Sequence, residues 1–199
     1  MQCVAAPSPN FDDRSPDTPV DILLMHYTGM QTGAAAVARL TDPDARVSSH
    51  YTVDEGGTIY AHVPEDKRAW HAGFSYWAGA RDINARSIGI EIVNPGHEGG
   101  SPDFTPEQIE STIALCADLR ARHMIPQHRV LAHSDVAPAR KCDPGEKFPW
   151  ALLAERGIGH WVKPTPISGG RFFAQGDEGQ PVQALQAMLA LYGYGIAVT

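Results

Sequence analysis

Two apolar runs with different rhythms organise the first half of the chain. Residues 22–26, ILLMH, are continuously apolar until His26 and lead into the turn-prone Tyr27-Thr28-Gly29, so they read as a buried strand that delivers a polar side chain at its end. Residues 87–94, SIGIEIVN, alternate instead. Ile88, Ile90 and Ile92 share one face, while Gly89, Glu91 and Val93 share the other, which sets Glu91 opposite three isoleucines. Residues 51–54 and 58–63 flank Glu55-Gly56-Gly57, a hairpin signal with glycines for positive φ, and residues 129–133 read as a short strand ending in His133.

Helical spacing fills the intervals. A helix over residues 34–40 stops before Asp42-Pro43, and a longer one starts at Thr105, with Pro106 at its first position and Gln108 three residues after the cap. Its apolar stripe, Ile109, Ile113, Cys116 and Leu119, is spaced to cover a sheet, and residues 150–156 form a short helix ended by Gly157. Strands alternating with helices predict an α/β fold: a single layered domain with a mixed central β-sheet flanked by helices. A polar, Pro-rich arm up to Pro19 precedes it, and residues 82–86 read as loop.

The composition shifts after this domain. Lys163-Pro164-Thr165-Pro166 followed by Ser168-Gly169-Gly170 reads as a linker, and residues 176–195 carry Val182, Leu185 and Leu189 on one helical face. The expected organisation is a domain over residues 1–162, a linker over 163–175 and a short helical C-terminal extension over 176–199. A single amphipathic helix is marginal alone, so it packs on the domain, pairs with another chain or belongs to a larger unit.

With 199 residues, 43% of them hydrophobic, the chain can bury one substantial core. A formal net charge of −7 and the lack of a basic patch give nucleic-acid binding no support. Cys3, Cys116 and Cys142 are odd in number and far apart, so no disulfide framework is implied. No segment approaches the ~20 apolar residues of a membrane span, and the first residues lack a signal peptide's charged and apolar regions. A cytoplasmic location is expected, or a periplasmic one if a leader has been removed.

The candidate chemistry begins in HSDVAPARKCD, which places His133, Lys141 and Asp143 in one short segment. Pro138 and Pro144 argue against helix there, and in an extended stretch Lys141 and Asp143 point one way and Cys142 the other. A catalytic metal with three protein ligands needs one more, and His26 is the best candidate. A histidine at a strand end is also often a satisfied core residue, and Glu91 can equally be a structural ion-pair partner. The softer thiolate of Cys142 competes for a metal in principle, but its spacing argues against it.

Five motifs in order, HYTG, SSHY with the hairpin GGTIY, AWHAG, SIGIEIVNPG and HSDVAPARKCDPG, resemble the zinc-dependent N-acetylmuramoyl-L-alanine amidases over roughly residues 6–159. Amidase-type phage lysozymes and peptidoglycan recognition proteins share that fold. The phage enzymes carry a cysteine at the third ligand position and a tyrosine near the SSHY strand, where this chain has Asp143 and Ser49, so the bacterial cell-wall recycling branch is the nearer likeness.

The resemblance implies a Zn2+ cofactor held by His26, His133 and Asp143, with Glu91 and Lys141 as the catalytic pair. It also implies cleavage of the lactyl amide between muramic or anhydro-muramic acid and L-alanine, with muropeptides or cell-wall polymer as partner. Trp70, His71 and Asn84 match positions along the family's substrate cleft. The alternative is a non-catalytic peptidoglycan recognition module, although such relatives typically lack part of the metal set and this chain lacks none of it. The segment over 176–199 resembles the first half of a helical peptidoglycan-binding module.

Overall fold

The structure, a computed structural model, describes residues 2–166 and 168–199. Its eight strands are β1 (Val4–Ala5), β2 (Phe11–Asp13), β3 (Ile22–Tyr27), β4 (Tyr51–Val53), β5 (Ile59–Ala61), β6 (Lys67–Ala69), β7 (Ser87–Ile92) and β8 (Val130–Ala132). The helices are α1 (Gly33–Thr41), α2 (Ile83–Arg86), α3 (Pro106–His123), α4 (His133–Val136), α5 (Trp150–Glu155) and α6 (Gln180–Tyr192). Six strands form one mixed sheet in the order β1-β5-β4-β7-β3-β8, with only the β4–β5 hairpin antiparallel, and β2 pairs with β6 in a separate ribbon.

Alternation along the two central strands sorts the molecule into two sides. Leu23 and Met25 of β3 and Ile88, Ile90 and Ile92 of β7 pack in one cluster with Ile109, Ile113, Cys116 and Leu119 of α3. Each large apolar side chain buried there contributes about 1.5–3 kcal/mol. Thr105 and Gln108 close a reciprocal capping box that fixes where α3 starts. Ile22 and Leu24 face the other way, into a second cluster with Trp77, Ile83, Leu131 and Val136. His26 continues that second face, as do Gly89 and Glu91 on β7, so the side opposite α3 carries the polar groups.

Two expectations need correction, and the polar N-terminal arm takes part in the fold: β1 adds to the sheet edge, β2 pairs with β6, and the Arg14 guanidinium donates to the carbonyls of Asn84 (2.9 Å), Ala85 (2.6 Å) and Ser87 (2.6 Å). These partners lie far away in sequence, so no local pattern announces them. Residues 83–86 form the helical turn α2 rather than loop, because the Asp82 side chain caps the Ala85 N–H. His133 opens the helical turn α4 rather than ending a strand. Asp135 reaches back to accept from the Ala132 N–H (2.8 Å), and the turn ends at Ala137, before Pro138 can interfere.

Within 163–175 the described residues are exposed, residue 167 of the expected linker lies outside them, and α6 buries none of its side chains. The helix docks through its exit. Gly193 lies so close to Trp77 that a Cβ there would sit 2.7 Å from the ring, Tyr194 packs edge-on against the same indole, and the Tyr194 hydroxyl donates to Asp135 (2.7 Å). Among the described residues no helix is long and apolar enough to cross a membrane.

Candidate active site

β3 and β7 run parallel with His26 directly beside Glu91 in register, so two polar side chains meet on a face that is otherwise closely packed. β8 lies on the other flank of β3, with Ala132 paired to Met25, which brings His133 next to His26 at the end of the sheet. The chain then loops back. The Ser134 N–H donates to the Asp143 carbonyl (3.0 Å), and this tie holds Asp143 against both histidines.

The result is a compact donor set. His26 Nδ1, His133 Nδ1 and one Asp143 carboxylate oxygen lie 2.9, 3.0 and 3.0 Å apart, all three residues are buried, and together they could hold a metal ion. Ligand atoms at the corners of a tetrahedral zinc sphere sit about 3.3 Å apart, so the set fits an ion of that size with little movement. The chemistry fits as well: two imidazoles with their lone pairs turned inward and one carboxylate, with one side open to a cleft.

The electrostatics favour the ligating forms. Burial and the adjacent His133 ring push His26 down to about 4, which keeps it neutral. Burial opposes ionisation of Asp143, but hydrogen bonds from the His133 and His26 rings, which need an Nδ1 proton that a bound metal would displace, outweigh it and hold the carboxyl well below the usual carboxylate range. Glu91 behaves oppositely. Burial first, and the nearby Asp143 charge second, push it well above the usual range, against the pull of Lys141. One Glu91 carboxylate oxygen is buried without a hydrogen-bond partner among the described residues, which is costly for a group with no task.

Both histidines are braced from behind by the AWHAG segment. With Nδ1 turned to the donor set, the His26 proton sits on Nε2 and donates to His71 Nδ1 (3.0 Å). His71 Nε2–H in turn faces the Ser87 hydroxyl (3.3 Å), which donates to the Ile83 carbonyl (2.6 Å). His133 Nε2–H donates to the Ala72 carbonyl (3.0 Å), and Arg140 donates to the same carbonyl and to that of Phe74 (2.7 Å). The Asn84 amide oxygen accepts from the His71 N–H (3.1 Å) and the Ala72 N–H (2.7 Å), fixing the segment in place. Such partners set the tautomer and aim of metal-binding imidazoles.

An open cleft of about 520 Å³ lies over the donor set and is lined by His26, His133, Asp143, Glu91 and Lys141. Its wall also includes His71, whose two ring nitrogens are both engaged. Asn84 is buried in its brace, and Trp70 lies outside the lining, with its indole N–H donating to Asp12 (2.7 Å) and Arg46 over its ring. Cys142 is exposed and takes no part in the buried donor set. The sequence reading missed Arg140 and Ser87. Arg140 stands inside the HSDVAPARKCDPG motif and was open to notice, whereas Ser87 looks like any small polar residue at a strand entrance.

A mixed α/β sheet carrying a His-His-Asp set able to hold a metal ion, beside an acid with a buried, unpartnered carboxylate oxygen, fits a metal-dependent hydrolase. The family model for N-acetylmuramoyl-L-alanine amidase matches residues 16–146. The chain belongs to that family, hydrolases of the amide bond between N-acetylmuramic acid and L-alanine. N-acetylmuramoyl-L-alanine amidase AmiD of Escherichia coli is 39% identical over 192 residues, covering 89% of this chain and 67% of the relative. The complex of E. coli AmiD with the substrate anhydro-N-acetylmuramic acid-L-Ala-D-γ-Glu-L-Lys superposes with a TM-score of 0.77 at 34% identity, over 96% of this chain and 82% of that one. AmpDh3 of Pseudomonas aeruginosa, in complex with anhydromuramic pentapeptide, gives a TM-score of 0.75 at 30% identity, over 96% of this chain and 81% of the other.

Proposed function

We propose that this amidase is a zinc enzyme that accepts anhydro-muropeptides, with His26, His133 and Asp143 as ligands, Glu91 as general base and acid, and Lys141 as the cation facing the transition state. The observation that supports this reading most strongly is the placement of Glu91: in register beside His26, with a buried, unpartnered carboxylate oxygen in the wall of the cleft. Zinc when bound supplies a Lewis acid and lowers the pKa of a water molecule to about 7.

Glu91 takes the proton from the attacking water and returns one to the alanine nitrogen as the C–N bond breaks. Its raised proton affinity suits both halves, since a carboxyl poised nearer neutrality gives up a proton as readily as it accepts one. Lys141 is exposed at the cleft and close enough to lower the proton affinities of both His26 and Glu91, which supports a role for its charge in facing the carbonyl oxygen as it becomes negative. His71 and Asn84 serve the reaction by holding the ligands, while Trp70 stands outside the cleft lining.

The division into a catalytic domain over 1–162, a linker over 163–175 and a wall-binding-like segment over 176–199 belongs to the same proposal. Exposed Leu185, Met188 and Leu191 on α6 are consistent with it. Deleting residues 163–199 should lower sedimentation with sacculi while preserving turnover of soluble anhydro-muropeptide; equal sedimentation removes the wall-binding role.

The test of the activity is product analysis by mass after incubation with anhydro-muropeptide and with intact sacculi, with and without a zinc chelator. Release of free stem peptide that stops on chelation and returns with zinc is expected. Release from neither substrate contradicts the proposal, and the preferred substrate separates a cytoplasmic recycling role from action on the exported wall.

A further inference from the structure

Cys142 follows Lys141 in the ligand-bearing loop, yet its sulfur turns away from the buried donor set and meets two other side chains at the mouth of the cleft. Cys142 Sγ lies 3.4 Å from His97 Nδ1 and 3.3 Å from the Tyr27 hydroxyl, and that hydroxyl lies 3.1 Å from the same imidazole nitrogen. The three atoms make a nearly equilateral triangle of sulfur, nitrogen and oxygen. Around a tetrahedral ion with one sulfur ligand and two lighter ones, such atoms sit about 3.3–3.6 Å apart. Behind the triangle, His97 Nε2–H donates to the Glu146 carboxylate (2.8 Å), which leaves Nδ1 unprotonated and aimed inward. A carboxylate holding the far side of an imidazole is the arrangement that prepares a histidine for a metal.

We propose that Cys142, His97 and Tyr27 form a second site for a thiophilic divalent cation of the zinc type, which obstructs the cleft when filled. A thiolate and an imidazole select zinc or cadmium over magnesium or calcium, whose oxygen preference this set does not meet. The site is weaker than the buried one, because the three groups are partly exposed and the Lys141 ammonium stands next to them in sequence and in the cleft. It therefore fills only after the first. Because Tyr27, His97 and Cys142 line the same cleft as His26, His133 and Asp143, an ion there stands in the way of a muropeptide, and excess zinc inhibits. The inhibition rests on the amidase reading; the binding does not.

The full chain is titrated with Co2+ and, in parallel, with Zn2+ while turnover of anhydro-muropeptide is followed. Two equivalents are expected to bind, the second at least about tenfold weaker than the first, and the second should carry the thiolate-to-cobalt charge-transfer band. Cys142→Ser should remove that band, weaken the second equivalent at least about tenfold and relieve inhibition by excess zinc; Glu146→Gln should weaken it about tenfold by releasing His97. Asp143→Ala should impair the first equivalent while the thiolate band persists, so the two sites are read separately. A single equivalent, or a second that binds Cys142→Ser as tightly as the natural chain, overturns the proposal and leaves a hydrogen-bonded trio. A thiolate band on a chain without amidase activity keeps this site and removes the proposed function instead.

Discussion

His26 Nε2 lies 3.0 Å from His71 Nδ1, so the imidazole that turns one nitrogen to the metal-binding set has its other nitrogen held by a second imidazole. That contact decides which His26 nitrogen carries the proton. An asparagine at position 71 can still present an acceptor near the Nδ1 position, whereas a phenylalanine cannot. His71→Phe is expected to weaken zinc binding about 10–100-fold, with His71→Asn recovering most of the loss, measured by competition with a chromophoric chelator. Equal affinities for the two variants contradict a positioning role.

The ligand assignment makes a separate prediction for protein purified with stoichiometric zinc. His26→Ala, His133→Ala and Asp143→Ala should each lose the tightly bound equivalent, read by elemental analysis after dialysis against a chelator weak enough to strip only the looser site, while Cys142→Ala keeps it. A chain that loses its zinc with Cys142 and retains it without Asp143 has a different centre from the one described.

Gly89 is where the brace meets the sheet. A Cβ there would sit 2.5 Å from the His71 ring, in the buried centre of β7, and no exposed side chain can yield to relieve it. Gly89→Ala should cost about 1–3 kcal/mol, as overpacking typically does, and should lower metal affinity along with the melting temperature. An unchanged melting temperature means that His71 has room to move.

The acidity of Glu91 leaves a mark on stability. Its folded pKa is raised, so above the unfolded carboxyl value near 4.3 the native protein holds a proton that the unfolded chain releases. Stability then falls by about 1.4 kcal/mol per pH unit until the folded pKa is passed. Glutamine has no proton to hold. Metal-free Glu91→Gln protein should match the natural chain near pH 4 and become progressively more stable than it as pH rises, in thermal melts across that range. Parallel curves for the two proteins contradict the raised pKa.

Much of the site was legible because its carriers are short periodic elements. ILLMH and SIGIEIVN each state a strand and the face of its polar residue, and both His26 and Glu91 stand on the face that alternation assigns them. Their register does not follow from either strand alone; it comes from pairing across some 60 residues of chain, as does the Arg14 staple. The one-turn helices α2 and α4 escaped notice because a single aspartate cap decides them against a background of loop-like residues. The brace formed by His71, Asn84 and Ala72 was visible as a motif but not as a mechanism, since which side of AWHAG faces the histidines is set by tertiary packing.

The most direct measurement compares Glu91→Gln with the natural chain for release of stem peptide from anhydro-muropeptide, with zinc content determined on the same samples. The substitution preserves shape and removes basicity, so zinc occupancy and KM should hold while kcat falls by about two powers of ten or more. A fully metallated Glu91→Gln enzyme with near-normal kcat would contradict the mechanism, and would return Glu91 to the rank of a structural acid in β7.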